Sequence, residues 1–161
     1  MKRYWLDASS LIWCDRDLFE LATMAKYWEW LASKLADGSV VTHKKIYGEV
    51  IRGADGDKPS PLALWVKSRK GVWCSYGCTD ESKVLMGKIS EYCVEKYGFP
   101  TAKKFLTGGD AHLISRAALD DGIVVTQESV LHFPRIPSVC DHFKIKHLPM
   151  NRMNIELKMK F

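Results

Sequence analysis

The sequence predicts a three-layer α/β/α domain in which helices cover both faces of a central parallel sheet of four to five strands. Short apolar runs alternate with longer segments of helical apolar spacing, and strands separated by helices are joined by crossovers that make them parallel. The 161 residues suffice for one covered core, so residues 1–161 are interpreted as one domain. A hydrophobic fraction of 47% with 27% charged residues is typical of globular proteins, which excludes general disorder.

Two short strands and two helices are predicted in the first third of the chain. They are a strand over 3–6, a helix over 19–37, a strand over 39–42 and a helix over 43–51. Asp7 directly follows the first strand. Thr42 is expected to cap the second helix, and Gly53 is expected to end it.

The remaining elements continue this alternation. They are a helix over 59–70, an apolar stretch over 72–74, helices over 79–97 and 110–121, a strand over 123–126, a helix over 137–143 and a strand over 144–148. The helix over 79–97 is expected to turn five residues toward the core: Val84, Leu85, Ile89, Tyr92 and Cys93. The tail is predicted to be helical to about Leu157 with an extended end, and the strict alternation of residues 155–161 competes as a half-buried strand.

Targeting and thiol patterns predict a cytoplasmic protein without a membrane span. Asp7 interrupts the N-terminal apolar run, and no segment reaches the roughly 20 apolar residues that a spanning helix needs. The five cysteines form an odd, scattered set that is typical of reduced thiols: Cys14, Cys74, Cys78, Cys93 and Cys140. Cys74 and Cys78 lack the second close pair of a zinc site, so a structural metal is not the favoured interpretation there.

The charge balance is mildly basic. The chain has 24 basic and 19 acidic residues, a formal charge of +5, and much of the excess follows residue 144. This balance favours a polyanionic partner without establishing one, because solvated lysines also keep proteins soluble.

Four acidic residues fall near the carboxyl ends of predicted strands or in the adjoining helices: Asp7, Glu49, Asp110 and Glu128. Sites in open parallel sheets lie beyond those strand ends, so the four side chains could converge there. Each acid also has a structural explanation. Asp7 and Asp110 are suitable helix caps, Glu49 is spaced to pair with Lys45, and Glu128 suits a turn. Taken together, clustered carboxylates repel one another unless a cation is present, which favours a hard divalent ion such as Mg²⁺ or Mn²⁺.

Three segments resemble the motifs of PIN-domain nucleases. Residues 4–12 read YWLDASSLI, which is similar to the family's opening strand and turn. Residues 109–118 and 122–128 read GDAHLISRAA and GIVVTQE, which are similar to the third and fourth acid motifs, and Glu49 stands where the second acid falls. The resemblance covers residues 4 to about 148 and looks closest to an uncharacterised bacterial branch with a tryptophan-rich first long helix. Glu128 replaces a frequent Asp, and Ala8 replaces a frequent Thr.

The resemblance implies metal-dependent hydrolysis of RNA. Asp7 and Asp110 would be direct ligands of Mg²⁺ or Mn²⁺, while Glu49 and Glu128 would complete the site or hold a second ion. Ser9 and Thr126 would orient the ligands by hydrogen bonds. Three cations are candidates for contacts with RNA phosphates, with a solvated surface role as the alternative: Lys103, Lys104 and Arg116.

The partners implied by the resemblance are RNA and, since many PIN-domain proteins are toxins of toxin–antitoxin pairs, an antitoxin protein. A homodimer, the RNA preference and the number of ions stay open. Two other functions compete with cleavage. One is a catalytically inactive PIN-like module that binds RNA or protein. The other is a metal-dependent phosphatase or phosphotransferase, although such enzymes usually need an Asp-x-Asp motif where this chain has Asp7-Ala8-Ser9.

Overall fold

The central feature of the computed structural model, which describes residues 2–52, 58–129 and 134–160, is a four-stranded sheet. Its strands are Tyr4–Leu6 (β1), Val40–Val41 (β2), Ile123–Val125 (β3) and His147–Leu148 (β4). The order is β2-β1-β3-β4, and every pairing is parallel. The predicted parallel α/β fold with four to five strands is therefore confirmed.

The two central strands explain why their sequences are apolar without alternation. Every residue of β1 and β3 is buried, because helices cover both faces of the sheet. Tyr4 pairs with both Val40 and Ile123, so β1 is hydrogen-bonded on both sides. The carboxyl ends of β1 and β3 consequently lie side by side, with Leu6 opposite Val125.

Helices occupy most of the remaining described chain. They are Ala8–Trp13 (α1), Ala25–Ala36 (α2), Lys44–Ile51 (α3), Pro61–Lys67 (α4), Lys70–Trp73 (α5), Asp80–Tyr97 (α6), Phe99–Thr107 (α7), Asp110–Leu119 (α8), Ile136–His142 (α9) and Met150–Glu156 (α10). A π-helical segment, Cys14–Leu18, continues α1. Among the helices of the described ranges, none combines the length and apolar character needed to cross a membrane.

Two predictions for the first third of the chain were wrong in detail. The helix predicted over 19–37 begins only at Ala25, because the preceding residues form turns in which Leu21 N donates to Asp15 Oδ1. Thr42 does not cap α3, since its hydroxyl donates to Leu6 O at 2.6 Å. His43 caps the helix instead, and its Nδ1 accepts from Lys45 N at 3.1 Å. Gly53, predicted to end this helix, lies outside the described residues.

The middle of the chain contains more helix breaks than predicted. The helix expected over 59–70 begins after its cap, Ser60, and the apolar stretch predicted after it belongs to α5 and its end. Gly98, with φ +80°, separates α6 from α7, a helix that was not predicted. Along α6, Ile89 is buried whereas Val84 is 65% exposed. The two residues are roughly 140° apart around a helix, so they cannot share the narrow buried face.

The C-terminal segment is helical, as predicted. Met150 and Met153 are buried on one face of α10. The competing strand interpretation of the tail was wrong, because helical spacing lets these methionines reach the core together. Tyr4 and Tyr27 fix the helix further, since their hydroxyls donate to Glu156 Oε2 and Asn154 Oδ1.

Candidate active site and a second side-chain cluster

Asp7 lies at the junction of the two central strands. Its backbone N donates to Val125 O, and its carboxylate is almost fully buried. One oxygen, Oδ1, caps α1 by accepting from Ser10 N at 2.7 Å. The other, Oδ2, accepts from Ser9 Oγ at 2.7 Å and from Thr126 Oγ1 at 2.6 Å. Burial raises the pKa of Asp7, and these hydrogen bonds oppose that shift.

Asp110 is a second carboxyl group of the site whose pKa is strongly raised. Burial is the largest cause, and the charges of Glu128, Asp7 and Glu49 add to it, so the pKa of Asp110 is raised to about 8. The alternative explanation of Asp110 as the cap of α8 does not hold, because Gly109 occupies the cap position and Asp110 is the first helical residue. Within the described ranges, no hydrogen bond reaches its carboxylate. Asp110 is therefore a partly buried acid that no hydrogen bond from the described residues keeps ionised.

Glu49 connects α3 to the start of α8. Its Oε1 accepts from Gly109 N at 2.5 Å instead of pairing with Lys45. A Cβ on Gly109 would lie 2.8 Å from Ile46 Cδ1 and 3.0 Å from Glu49 Oε1. Glycine is therefore required sterically, because it lets the Glu49 carboxylate approach the helix N-terminus beside Asp110.

Replacing Gly109 with Ala should displace Glu49 and lower any activity of the site by about tenfold or more, since an error of about 1 Å in a catalytic group can cost 10²-fold. Gly108→Ala is the matched control, because its Cβ would have its nearest contact with Glu49 Oε1 at an ordinary 3.4 Å. Initial cleavage rates of both variants would be compared. Equal losses in the two variants would contradict the steric explanation.

Glu128 closes the opposite side of the site. Its backbone N donates to Thr126 Oγ1, its Oε2 accepts from Ile136 N at 3.1 Å, and its Oε1 lies 3.7 Å from Arg135 Nη1. Burial raises the pKa of Glu128, and the hydrogen bond from Ile136 opposes that rise. Arg135 was not identified from the sequence, because no motif marks an arginine that follows a strand at this distance.

A cavity of about 500 Å³ opens beside these acids. Asp110, Glu128, Lys104 and Arg135 supply its charged lining, and α7 forms one wall. Lys103 is exposed on the same helix but does not line the cavity. Arg116 also lies elsewhere. Its guanidinium donates to Gly77 O at 2.9 Å and packs over the rings of Trp5 and Tyr76, so its predicted contact with phosphate at the acids has no geometric support.

The acidic donors fit a hard divalent cation by type and by burial. Their present spacing is loose, however, since within the described residues no three of these carboxylates each place an oxygen within 4.8 Å of the others. Hydrogen bonds hold Asp7, Glu49 and Glu128 at their present positions. Mg²⁺ commonly keeps several of its waters, so carboxylates at this spacing could contact an ion partly through water.

The whole site falls within a recognised family. A family model described as a domain of unknown function, DUF4411, matches residues 4–161. The chain belongs to the DUF4411 family. A search of curated proteins finds no match to this chain. The match covers all four acids of this DUF4411 domain and extends through α10, which lies beyond the segments that resemble PIN-domain nucleases.

A second cluster of polar side chains in the DUF4411 domain was missed by the sequence interpretation. Cys78 Sγ lies 3.3 Å from His112 Nδ1 and 3.8 Å from His43 Nε2, and the two imidazole rings are stacked with centroids 5.2 Å apart. Burial lowers the pKa of His43 to about 4, and His112, Arg116 and the neighbouring lysines add to this effect. In the sequence, Cys74 is the nearest candidate partner of Cys78 for a metal site. In the structure, the neighbours of Cys78 come from distant parts of the chain.

Proposed function

We propose that this DUF4411 domain is an endoribonuclease that uses Mg²⁺ or Mn²⁺ to hydrolyse RNA phosphodiester bonds. The observation that supports the proposal best is the group of acids near the carboxyl ends of β1 and β3, where burial and the charges of three acids together raise the pKa of a fourth, Asp110. Such repulsion is unfavourable in the isolated protein and would be relieved by a bound cation. The resemblance to PIN-domain nucleases supports RNA as the substrate.

The residues of the site would have different roles according to their positions. Asp7 and Asp110 would hold the ion, and Glu49 and Glu128 would orient its waters or hold a second ion. A bound ion would supply Lewis-acid polarisation of the phosphate and would lower the pKa of the attacking water. Ser9 and Thr126 keep the Asp7 carboxylate in one orientation through their hydroxyl groups. Lys104 and Arg135 line the cavity and would attract the phosphate backbone.

The biological role is a further part of the proposal. By resemblance, the enzyme would act in the cytoplasm as the toxin of a toxin–antitoxin pair, with an antitoxin protein covering or distorting the acidic site. An RNA- or protein-binding module without catalysis is the second candidate. The hydrogen bonds that hold three of the four acids apart favour that alternative.

The test combines ion binding with cleavage. Adding Mn²⁺ or Mg²⁺ to metal-free protein should raise the melting temperature, because the ion binds the folded acidic site and not the unfolded chain. The same ions should be required for cleavage of a fluorescently labelled RNA, and chelation should stop it. An RNA that binds without being cut at any metal concentration would favour the binding module. Failure of both ions to shift melting or support cleavage would overturn the proposal.

Lys104→Ala should weaken RNA binding and reduce the slope of log K against log salt by about one unit, since one phosphate contact is lost. Lys103→Ala is the matched control on the same helix, because Lys103 is exposed but does not line the cavity. Binding would be measured by titration at several salt concentrations. An unchanged slope for Lys104→Ala would mean that Lys104 makes no phosphate contact and is a solvated surface residue.

A further inference from the structure

We propose that His43, Cys78 and His112 form a binding site for a borderline-soft transition-metal ion such as Zn²⁺, separate from the acidic site. The three ligand atoms all lie within 4.8 Å of one another, the one such arrangement of His, Cys, Asp or Glu among the described residues. Thiolate and imidazole are the donors that Zn²⁺ prefers, whereas the acidic site offers only oxygen. The two sites would therefore select different metals.

The distances fit a tetrahedral ion. With Zn–S near 2.3 Å and Zn–N near 2.0–2.1 Å, two ligands of a tetrahedral ion lie about 3.6 Å apart. The observed separations of Cys78 Sγ from the two imidazole nitrogens, 3.3 and 3.8 Å, fall on either side of that value. An ion could be accommodated by small side-chain rotations, and the exposed face of Cys78 leaves a fourth position for water.

The backbone holds the three ligands in place without an ion. His43 caps α3 two residues after the end of β2, and His112 lies in the first turn of α8. Cys78 lies in the loop before α6. This loop is attached to both helices that carry the histidines or follow them: Lys44 N, in α3, donates to Tyr76 O at 2.8 Å, and Arg116, in α8, donates to Gly77 O. The loop cannot move away from the histidines without breaking these bonds. Little reorganisation of the backbone would accompany metal binding.

Two features of the site oppose metal binding, and they limit which ions could occupy it. Nδ1 of His43 accepts from Lys45 N, so an ion at Nε2 would require a proton on Nδ1 and the loss of that capping bond. The charges of Lys44, Lys45 and Arg116 act on His43 and would repel a cation. Only an ion that bonds strongly to thiolate and imidazole can offset both effects. Mg²⁺ and Ca²⁺ are therefore excluded as occupants, and Zn²⁺ is favoured.

The position of the site gives the ion a structural consequence. One ligand lies at the start of α3, which carries Glu49, and another lies on α8, which carries Asp110. A bound ion would link these two helices through the loop that holds Cys78. Occupancy should raise the melting temperature whether or not the protein cleaves RNA, so this inference stands apart from the proposed function.

Co²⁺ and Zn²⁺ are the probes for the experiment, used on the full chain under reducing conditions. Wild-type protein should bind Co²⁺ with a thiolate-to-metal charge-transfer band in the near ultraviolet, and Zn²⁺ should displace it. Cys78→Ser should remove the band and weaken Zn²⁺ binding by more than about tenfold, since losing a residue that merely orients a ligand already costs 10–100-fold. Cys74→Ser is the matched control and should keep the band, because Cys74 is outside the cluster.

A third variant, Asp110→Asn, should also keep the band, which separates this site from the acidic one. His112→Gln should weaken Zn²⁺ binding while leaving the fold intact, since His112 is only partly buried. A wild-type protein without the band would overturn the proposal. So would a Cys78→Ser variant that retains the band, or a Cys74→Ser variant that loses it.

Discussion

Asp110→Asn is expected to lower RNA cleavage by several orders of magnitude and to raise stability in metal-free buffer. On the proposed function, cleavage would fall because the variant loses an anionic ligand of the ion. Stability rises because the variant no longer has to place in this partly buried site a charge that is poorly solvated there and that Glu128, Asp7 and Glu49 repel. No described hydrogen bond to the carboxylate is lost in exchange. Each kcal/mol gained would appear as roughly 2–4 °C in melting temperature for a domain of this size.

The stability gain should depend on pH in a defined direction. Folding raises the pKa of Asp110 from 3.8 to about 8, so the folded protein binds this proton more tightly than the unfolded chain does. The wild type therefore loses stability from this group as the pH rises from about 4 to about 8, and Asn removes that loss. The difference in melting temperature between variant and wild type should be small below about pH 4, grow as the pH rises and level off above about pH 8.

Asp80→Asn is the matched control for this prediction. Asp80 is also the first residue of a helix, but its side chain is 99% exposed. Its substitution should leave cleavage unchanged and shift stability by no more than about 0.5 kcal/mol. An Asp110→Asn variant that cuts RNA at the wild-type rate, or that melts lower than wild type in metal-free buffer at pH 8, would contradict the clustered-carboxylate account.

Gly122→Ala is expected to give the largest loss of stability among the glycine substitutions considered. A Cβ at this position would lie 2.6 Å from Trp5 Cδ1 and 3.0 Å from the backbone oxygen of Arg3. Trp5 cannot move aside easily, because it is fully buried and its Nε1 donates to Asp120 Oδ2 at 3.0 Å. Overpacking of this kind costs about 1–3 kcal/mol. The melting temperature should therefore fall by several degrees, at about 2–4 °C per kcal/mol.

Gly87→Ala is the control for this steric effect. Gly87 lies within α6, and a Cβ there would meet nothing within 4 Å. Alanine should stabilise the helix by about 0.4–1 kcal/mol, because it reduces the entropy of the unfolded chain. Thermal denaturation of both variants would be followed by circular dichroism. We expect Gly122→Ala to lower the melting temperature and Gly87→Ala to raise it. A Gly122→Ala variant as stable as the wild type would mean that Trp5 can move away from the added Cβ.

The parallel sheet could be predicted because its signal is local. Each central strand is a short apolar run next to turn residues, and α8, which carries the third acid motif, follows a pair of glycines. Helix α7 was not predicted, although its local sequence permits a helix: Gly98 turns the chain after α6, and Pro100 is tolerated in the first helical turn. Thr42 was misassigned because its hydroxyl has a partner, Leu6, in a neighbouring strand that the sequence does not reveal.

The acidic residues of the site were foreseeable, and their detailed environment was not. Fold geometry brings the ends of β1 and β3 together, so Asp7 and Glu128 could be placed at one edge from strand order alone. The hydrogen bond from Gly109 to Glu49, the ion pair of Glu128 with Arg135 and the position of Arg116 depend on side-chain packing across distant segments. The histidine–cysteine cluster is of the same kind, since it unites residues that are 34 and 35 positions apart.

The hydrogen bonds of Asp7 bear on how relatives of this protein should be compared. Asp7 caps α1 and joins it to Thr126 at the end of β3, so a relative that had lost catalysis would still gain these hydrogen bonds from the aspartate. The described residues make no hydrogen bond to the Asp110 carboxylate. This carboxylate destabilises the fold when it is ionised and no cation is bound. Selection for stability alone would therefore keep Asp7 and discard Asp110. The residue at position 110, rather than the one at position 7, is the better marker of an active enzyme.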